Sequence, residues 1–214
     1  MGRRKKEPRS VHREKIAAAA SALFLERGAA AVSMDEIARA AGYSKATLYV
    51  YFENKEEIIC LLTLESMKKL HGYIAAALAE EETTEARYRG ICRGLVRYQR
   101  EFPFYFKMAL EHIDTDFADR DVLPEERETC RVGESINGLL REFLLDGMER
   151  GALRRDLEVM PAIFQFWGML SGLILLEANK GAYIQSAAGV SGERFLEGGF
   201  RMLYRSIAAE EEIE

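Results

Sequence analysis

Two short predicted helices, each preceded by a capping residue and separated by a glycine, lie between residues 33 and 52. Ser33 is followed three residues later by Glu36, which is the spacing of a capping box at a helix start. Gly42 provides a residue that tolerates a positive φ where the first helix must end. Ser44 is a suitable cap for the second helix. A helix-turn-helix of this kind suits a DNA duplex, because its second helix can enter the major groove.

The second helix, predicted over about Lys45–Phe52, has one anchoring side and one side suited to bases. Leu48 and Phe52 fall together at 100° per residue, and we expect them to pack in the core. The opposite side and the flanks carry small, hydroxyl, β-branched and aromatic side chains, namely Ala46, Thr47, Tyr49 and Val50. Such side chains can approach base edges and thymine methyl groups closely. At the far end, Tyr51 and Lys55 are expected to reach phosphates.

The segment resembles the DNA-binding domain of the TetR family of bacterial transcriptional regulators. The run ALFLERGAAAVSMDEIARAAGYSKATLYVYFENKEEII matches the N-terminal signature of that family, and the resemblance is close over about residues 10–60. It implies helices at about Ser10–Arg27 and Met34–Ala41 and a recognition helix at Lys45–Phe52. It also implies DNA contacts from Ser33, Tyr43, Ser44, Lys45, Ala46, Thr47, Tyr49, Tyr51 and Lys55. Val50 and Ala46 depart from residues that are frequent in the family, which leaves the base preference open. The alternative for Tyr49 and Tyr51 is packing against the first helix.

The charge distribution separates the N-terminus from the rest of the chain. Residues 1–15 hold seven basic and two acidic residues, residues 16–55 are balanced, and the whole chain has a net charge of −5. Everything after Lys55 therefore carries a net charge of −10. A basic front end on an acidic remainder indicates one surface for phosphate and another that avoids it. The Arg3–Lys6 arm either reaches along the DNA or is a disordered, solubilising tail.

The N-terminus superficially resembles a secretory signal, but its pattern fits a helix better. Ile16, Ala20, Leu23 and Phe24 recur at helical spacing, and Gly28 ends that helix. We therefore expect an unprocessed, cytoplasmic protein. The longest apolar run, residues 162–176, is shorter than the ~20 residues that a membrane-spanning helix needs, so no membrane partner is predicted.

The sequence predicts an all-α fold with two domains. Residues 1–55 are expected to form the basic arm and a three-helix helix-turn-helix DNA-binding domain. Residues 56–214 are expected to form a C-terminal helical bundle for ligand binding and dimerisation. Apolar periodicity and the positions of proline and glycine place its helices near 54–80, 84–102, 104–113, 124–150, 160–179 and 192–208, with an acidic loop at 114–121.

The last two helices are predicted to form a homodimer interface. Residues 162–176 are apolar nearly all round, which is unfavourable on the outside of a monomer unless another surface covers them. The predicted interface residues are Gly168, Gly172, Leu196, Phe200 and Leu203. The alternative is a central core helix in a monomeric bundle. A two-fold dimer would bind a palindromic operator in double-stranded DNA.

Aromatic and methionine side chains between the DNA-binding domain and the predicted dimer interface are candidates for an effector cavity. Side chains of these types at helical spacing usually belong to the ordinary core. The predicted lining residues are Tyr98, Phe102, Tyr105, Met108, His112, Phe143, Met148, Phe164 and Trp167. The family resemblance implies that a small apolar or amphipathic molecule bound there would disturb the spacing of the two recognition helices. The sequence does not identify this molecule.

Neither catalytic chemistry nor a cofactor is predicted. The three histidines are far apart without metal-ligand spacing, and the three cysteines share no short spacing. Two classes of function therefore remain. The first is a dimeric, ligand-responsive DNA-binding regulator, usually a repressor in the family that the chain resembles. The second is an all-helical ligand-binding or catalytic protein that retains a helix-turn-helix as scaffold.

Overall fold

The computed structural model describes residues 7–110 and 123–209, and its regular secondary structure is helical. An isolated antiparallel bridge joins Leu153 to Ala208. The helices follow the chain as α1 (Arg9–Arg27), α2 (Met34–Ala40), α3 (Lys45–Tyr51), α4 (Lys55–Glu80), α5 (Thr84–Glu101), α6 (Pro103–Met108), α7 (Pro124–Glu149), α8 (Val159–Ala188) and α9 (Gly192–Ile207). A short 3-10 helix, Ala29–Ala31, connects α1 to α2. The all-α prediction is confirmed.

Two helices end elsewhere than predicted: α6, predicted over 104–113, ends at Met108, and α8 is longer than predicted. The sequence predicted an end near residue 179, where polar residues follow the apolar run, but the helix continues to Ala188. It is kinked at Lys180, where φ is −132° and ψ is 16°. The helix ends at Gly189, which has a φ of 68° and whose N–H donates to the carbonyl of Gln185. The polar residues near position 180 therefore coincide with the kink in α8, whereas the helix ends at the glycine with positive φ.

By its 30-residue length and its composition, α8 is long and apolar enough to cross a membrane, in contrast to the expectation from residues 162–176 alone. The core helix of a soluble protein passes the same test. The absence of a membrane partner therefore stays a prediction.

The described residues form two compact units. The first lies within Met1–Lys68 and Phe102–Arg131, and the second within Lys69–Glu101 and Val132–Glu214. The core of the first unit joins α1, α2, α3 and the beginning of α4 through Ile16, Phe24, Ile37, Leu48 and Ile58. In the second unit α8 packs against α9 and α5. The predicted functional boundary between residues 55 and 56 stays a prediction. The predicted loop 114–121 lies outside the described residues.

Candidate nucleic-acid interface and effector cavity

Helix α2 begins with the capping box that the sequence predicted. The backbone N–H of Glu36 donates to Ser33 Oγ over 3.4 Å, and the backbone N–H of Ser33 donates to Glu36 Oε2 over 2.8 Å. Arg27 Nη2 donates to the other carboxylate oxygen of Glu36 over 2.9 Å. Hydrogen bonds from Ser33, from its hydroxyl first and then from its backbone N–H, and the Arg27 guanidinium lower the pKa of Glu36 to about 2. The start of α2 is therefore held by a carboxylate that stays ionised at neutral pH.

The turn between α2 and α3 depends on Gly42 and Ser44. Gly42 has a φ of 75°, which a residue with a Cβ rarely adopts. The N–H of the next residue, Tyr43, donates to the carbonyl of Ala38 over 2.9 Å and closes the end of α2. Ser44 Oγ then accepts the backbone N–H of Thr47 over 3.1 Å and caps α3. Together these bonds fix the direction in which α3 leaves the turn.

Helix α3 is anchored on one side and open on the other. Leu48 is 0% exposed and Phe52 is 1% exposed, whereas Val50 is 64% and Tyr49 is 44% exposed. Ala46 is exposed as well. Leu48 and Phe52 are buried as predicted, and the ring of Tyr49 is partly exposed. The open side is free to approach bases.

The two lysines predicted to contact DNA have different surroundings. Lys45 is exposed and its Nζ lies 2.8 Å from Asp35 Oδ1, and this hydrogen bond raises the pKa of Lys45. Lys55 is half-buried, and its Nζ donates to the carbonyls of Ala29 over 2.7 Å and of Val32 over 3.1 Å. An ammonium has three N–H donors, so one donor of Lys55 remains beyond these two bonds. Lys55 therefore supports the start of α2 in addition to its predicted phosphate contact.

The remaining predicted DNA residues divide into exposed and half-buried ones. Ser33 and Ser44 are exposed, and Thr47 is half-buried. Tyr43 and Tyr51 are also half-buried, and both contact His12 of α1. The alternative of packing against α1 therefore describes the ring of Tyr51. His12 itself carried no signal in the sequence that pointed to this site.

The described part of the basic N-terminus also meets the end of α3. Arg9 Nη2 donates to the carbonyl of Val50 over 3.1 Å. The Arg13 guanidinium lies over the ring of Phe52, 4.5 Å from its centroid, and donates to Glu125 Oε1 over 2.6 Å. Arg3–Lys6 lie outside the described residues. Two arginines of α1 therefore lie at the end of α3, one on the carbonyl of Val50 and one on the ring of Phe52.

An apolar cavity lies in the second unit, with walls from α5, α7 and α8. Its volume is about 50 Å³. Its lining includes Tyr88, Leu95, Phe143, Phe166, Trp167 and Leu170. Of the residues predicted to bind a ligand, Phe143 and Trp167 lie here. The sequence missed Tyr88 and Phe166, because their spacing resembles that of any core stripe.

The other predicted ligand residues lie elsewhere. Met108 belongs to the core of the first unit, where Tyr105 packs against it, and Phe102 stacks on Tyr105. Tyr98 is fully buried against Tyr73. Met148 is half-buried, Phe164 is 59% exposed, and neither lines the cavity. His112 lies outside the described residues. Helical spacing identified apolar faces, but it did not show which of them enclose space.

The predicted dimer residues also differ in exposure. Gly168 and Gly172 are exposed, and a Cβ added at either would have no described atom within 4 Å beyond its own helix and chain neighbours. Phe200 and Leu203 are half-buried. Leu196 is only 3% exposed and packs inside the chain, so its side chain has almost no surface to offer a partner. Its place on the apolar stripe of α9 reflects burial within the chain itself.

The surroundings of the cysteines oppose thiolate formation at two positions. Burial, with Glu126 next in importance, raises the pKa of Cys60 to about 12. Burial raises the pKa of Cys92 to about 12 as well. Among the described residues, no three His, Cys, Asp or Glu side chains are grouped as metal ligands.

Comparison with known proteins places this arrangement in context. Residues 16–60 match the family model for bacterial regulatory proteins of the tetR family. Over 184 residues the chain is 35% identical to the probable HTH-type transcriptional regulator ArpR of Pseudomonas putida, which covers 81% of this chain and 83% of ArpR.

Two solved structures share the fold. The fatty acid degradation regulator FadR from Bacillus halodurans has a TM-score of 0.69 and 19% identity, over 94% of this chain and 97% of FadR. AibR, solved in complex with isovaleryl coenzyme A and operator DNA, has a TM-score of 0.67 and 19% identity, over 90% of this chain and 98% of AibR.

Proposed function

The chain belongs to the tetR family of bacterial regulatory proteins, and we propose that it is a cytoplasmic homodimeric repressor that a small apolar or amphipathic effector releases from a palindromic operator. As a member of this family, it is a DNA-binding transcriptional regulator. The observation that carries the proposal is the open side of α3. Buried Leu48 and Phe52 anchor the helix, and exposed Tyr49 and Val50 are free for base contacts.

The charges around α3 support docking onto a phosphate backbone. Lys45 lies at the start of α3. Arg9 lies at the end of α3, where its Nη2 donates a hydrogen bond to the carbonyl of Val50. Asp35, the partner of Lys45, is an anion next to the same surface, so DNA binding requires Lys45 to exchange a carboxylate for a phosphate. Because released counterions drive such contacts, affinity for any duplex will fall steeply as salt rises.

A second copy of this chain is the proposed occupant of the apolar face of α8. Phe164, Gly168, Gly172 and Leu176 recur every four residues along this helix, and all four are exposed. Large apolar side chains next to open glycines provide both contact area and room for a close helix approach. Operator palindromy and two-fold protein symmetry then match each other.

The cavity in the second unit is the proposed effector site. Its lining is apolar, as in most sites that bind small molecules. Its volume of about 50 Å³ is below the roughly 300–1,000 Å³ of such sites, so the effector has to widen the cavity on binding. AibR, which shares the fold, was solved with isovaleryl coenzyme A and operator DNA together. Because the lining of this cavity is apolar, we expect it to bind an apolar group of the effector.

Effector binding in the second unit is proposed to weaken DNA binding by the first unit. Typical coupling between two such sites is about 1–3 kcal/mol, which corresponds to a change in affinity of about 5- to 150-fold.

Selection of duplexes from a random DNA pool tests the DNA part of the proposal. We expect a palindromic consensus sequence. The complex with a duplex of that sequence should contain two chains per duplex. Lys45→Ala should weaken binding to all sequences and lower the salt slope by about one, whereas Thr47→Ala should change the preferred sequence. A folded protein that enriches no sequence, with or without added small molecules, would contradict the assignment.

Competition by apolar and amphipathic compounds tests the effector part. Compounds that raise the thermal midpoint of the protein should also release the selected duplex. Ala162→Leu narrows the cavity and should abolish both effects without changing DNA affinity, because Ala162 lines the cavity and is far along the chain from α3. Ala187→Leu, at an exposed position on the same helix, is the matched control. Retention of both effects in the Ala162 variant would place the effector elsewhere.

A further inference from the structure

One imidazole connects the two half-buried tyrosines at the ends of α3. His12 Nδ1 lies 2.7 Å from the hydroxyl of Tyr43, which immediately precedes the cap of α3. The same ring stacks on Tyr51, the last residue of α3, with centroids 5.0 Å apart and planes 28° apart. The two tyrosine rings are themselves 6.2 Å apart. His12, Tyr43 and Tyr51, here called the aromatic clamp, therefore join α1 to both ends of α3.

The chemistry of a phenol explains why the histidine matters for binding. A hydroxyl has one hydrogen to donate and can also accept. If His12 donates its Nδ1–H to the oxygen of Tyr43, the phenolic hydrogen stays available and the bond fixes the direction in which it points. If that nitrogen only accepts, the hydrogen is consumed inside the protein. The donor tautomer therefore leaves Tyr43 ready to bind an external acceptor such as a phosphate oxygen.

The opposite edge of the ring faces an ion pair. His12 Nε2 lies 4.0 Å from Glu7 Oε2, and Glu7 also pairs with Lys15 over 3.0 Å. The ring of His12 therefore lies between Glu7 on one edge and Tyr43 on the other.

We propose that His12 is a positioning residue for DNA recognition, which orients the Tyr43 hydroxyl towards a backbone phosphate and holds Tyr51 against α1. This inference rests on the proposed DNA binding. It assigns His12 no contact with bases, and it makes the direction of one phenolic hydrogen a determinant of affinity. A neutral hydrogen bond to phosphate releases few counterions, so its loss reduces affinity with little change in salt dependence.

Two substitutions separate the two contacts of the imidazole. His12→Phe keeps a ring that can stack on Tyr51 but removes the hydrogen-bonding nitrogen. His12→Asn keeps an N–H donor near the position of Nδ1 but removes the stacking ring. Tyr43→Phe removes only the hydroxyl oxygen. His71→Phe is the control, because His71 bonds to Ser135 in the second unit over 3.0 Å.

The experiment measures dissociation constants for the selected duplex at several salt concentrations, with thermal midpoints for every variant. His12→Phe and Tyr43→Phe should each weaken binding about 5- to 10-fold, the size expected for one hydrogen bond. The double variant should bind no worse than either single one, because both remove the same interaction. The salt slope and the affinity of His71→Phe should match the unsubstituted protein, and His12→Asn should recover part of the loss.

Three results would overturn the inference. Unchanged affinity in His12→Phe would show that the imidazole does not act in binding. Multiplicative losses in the double variant would show that His12 and Tyr43 act independently. Losses that simply follow the thermal midpoint, without recovery in His12→Asn, would make the clamp a structural contact only. Failure of the unsubstituted protein to select any duplex would instead refute the proposed function.

Discussion

Leu48 and Val50 lie two residues apart on α3, and their side chains lie on opposite sides of the helix. The Leu48 side chain is buried, whereas the Val50 side chain is exposed. Leu48 is 0% exposed, so Leu48→Ala removes three fully buried carbons, worth about 2.5 kcal/mol in transfer energy before any cavity term. With the cavity term, the loss of unfolding free energy should be about 2.5–4 kcal/mol. Val50 is 64% exposed, and Val50→Ala should cost about 0.5 kcal/mol or less.

Thermal unfolding at one protein concentration measures the first effect. At about 2–4 °C per kcal/mol for a chain of this size, Leu48→Ala should lower the midpoint by about 5–15 °C and Val50→Ala by no more than about 2 °C. Duplex selection measures the second effect. Val50→Ala should change the preferred bases, whereas folded Leu48→Ala should keep the preference and lose affinity. Equal midpoints for the two variants, or an unchanged preference in Val50→Ala, would refute the division of α3 into an anchored and a reading side.

Three further results follow from the geometry. Gly42→Ala should lower the free energy of unfolding by about 1–2 kcal/mol, because Gly42 has a φ of +75°. Gly72→Ala, at an open helical position, should raise it by about 0.5–1 kcal/mol. Denaturant titration measures both changes, and the same sign for both would contradict the role of the turn. Glu36 should titrate near pH 2 by NMR. Because its pKa is lowered in the folded state, its contribution to stability is present at neutral pH and is lost as the pH falls towards 2. Ser33→Ala should move that pKa towards the ordinary value, and an unmoved value would exclude the capping bond as its main cause. Gly147→Ala should lose about 1–3 kcal/mol in the same denaturant titration, since its Cβ would lie 2.6 Å from a buried leucine side chain, and unchanged stability would show that the core can yield there.

The helices were the most predictable feature, because their signals are local. Capping serines, proline at a first turn and glycine at positive φ act within a few residues, so most predicted ends agree with the structure within one or two positions. The end of α8 was wrong because Lys180 marks a kink, and local polarity does not distinguish a kink from an end. Similarly, Leu196 and Phe164 follow the same apolar periodicity, although one is 3% and the other 59% exposed.

The amino-acid sequence by itself determined the all-α class, the capped helix-turn-helix, the anchoring of α3 through Leu48 and Phe52, and the family. Each of these depends on residue types at short spacing, which the chain displays directly. Only the tertiary structure decided that Phe143 and Trp167 share a cavity with Tyr88, and that His12 contacts both Tyr43 and Tyr51. These contacts join residues tens of positions apart. Periodicity shows which side of a helix is buried, but packing determines what that side meets.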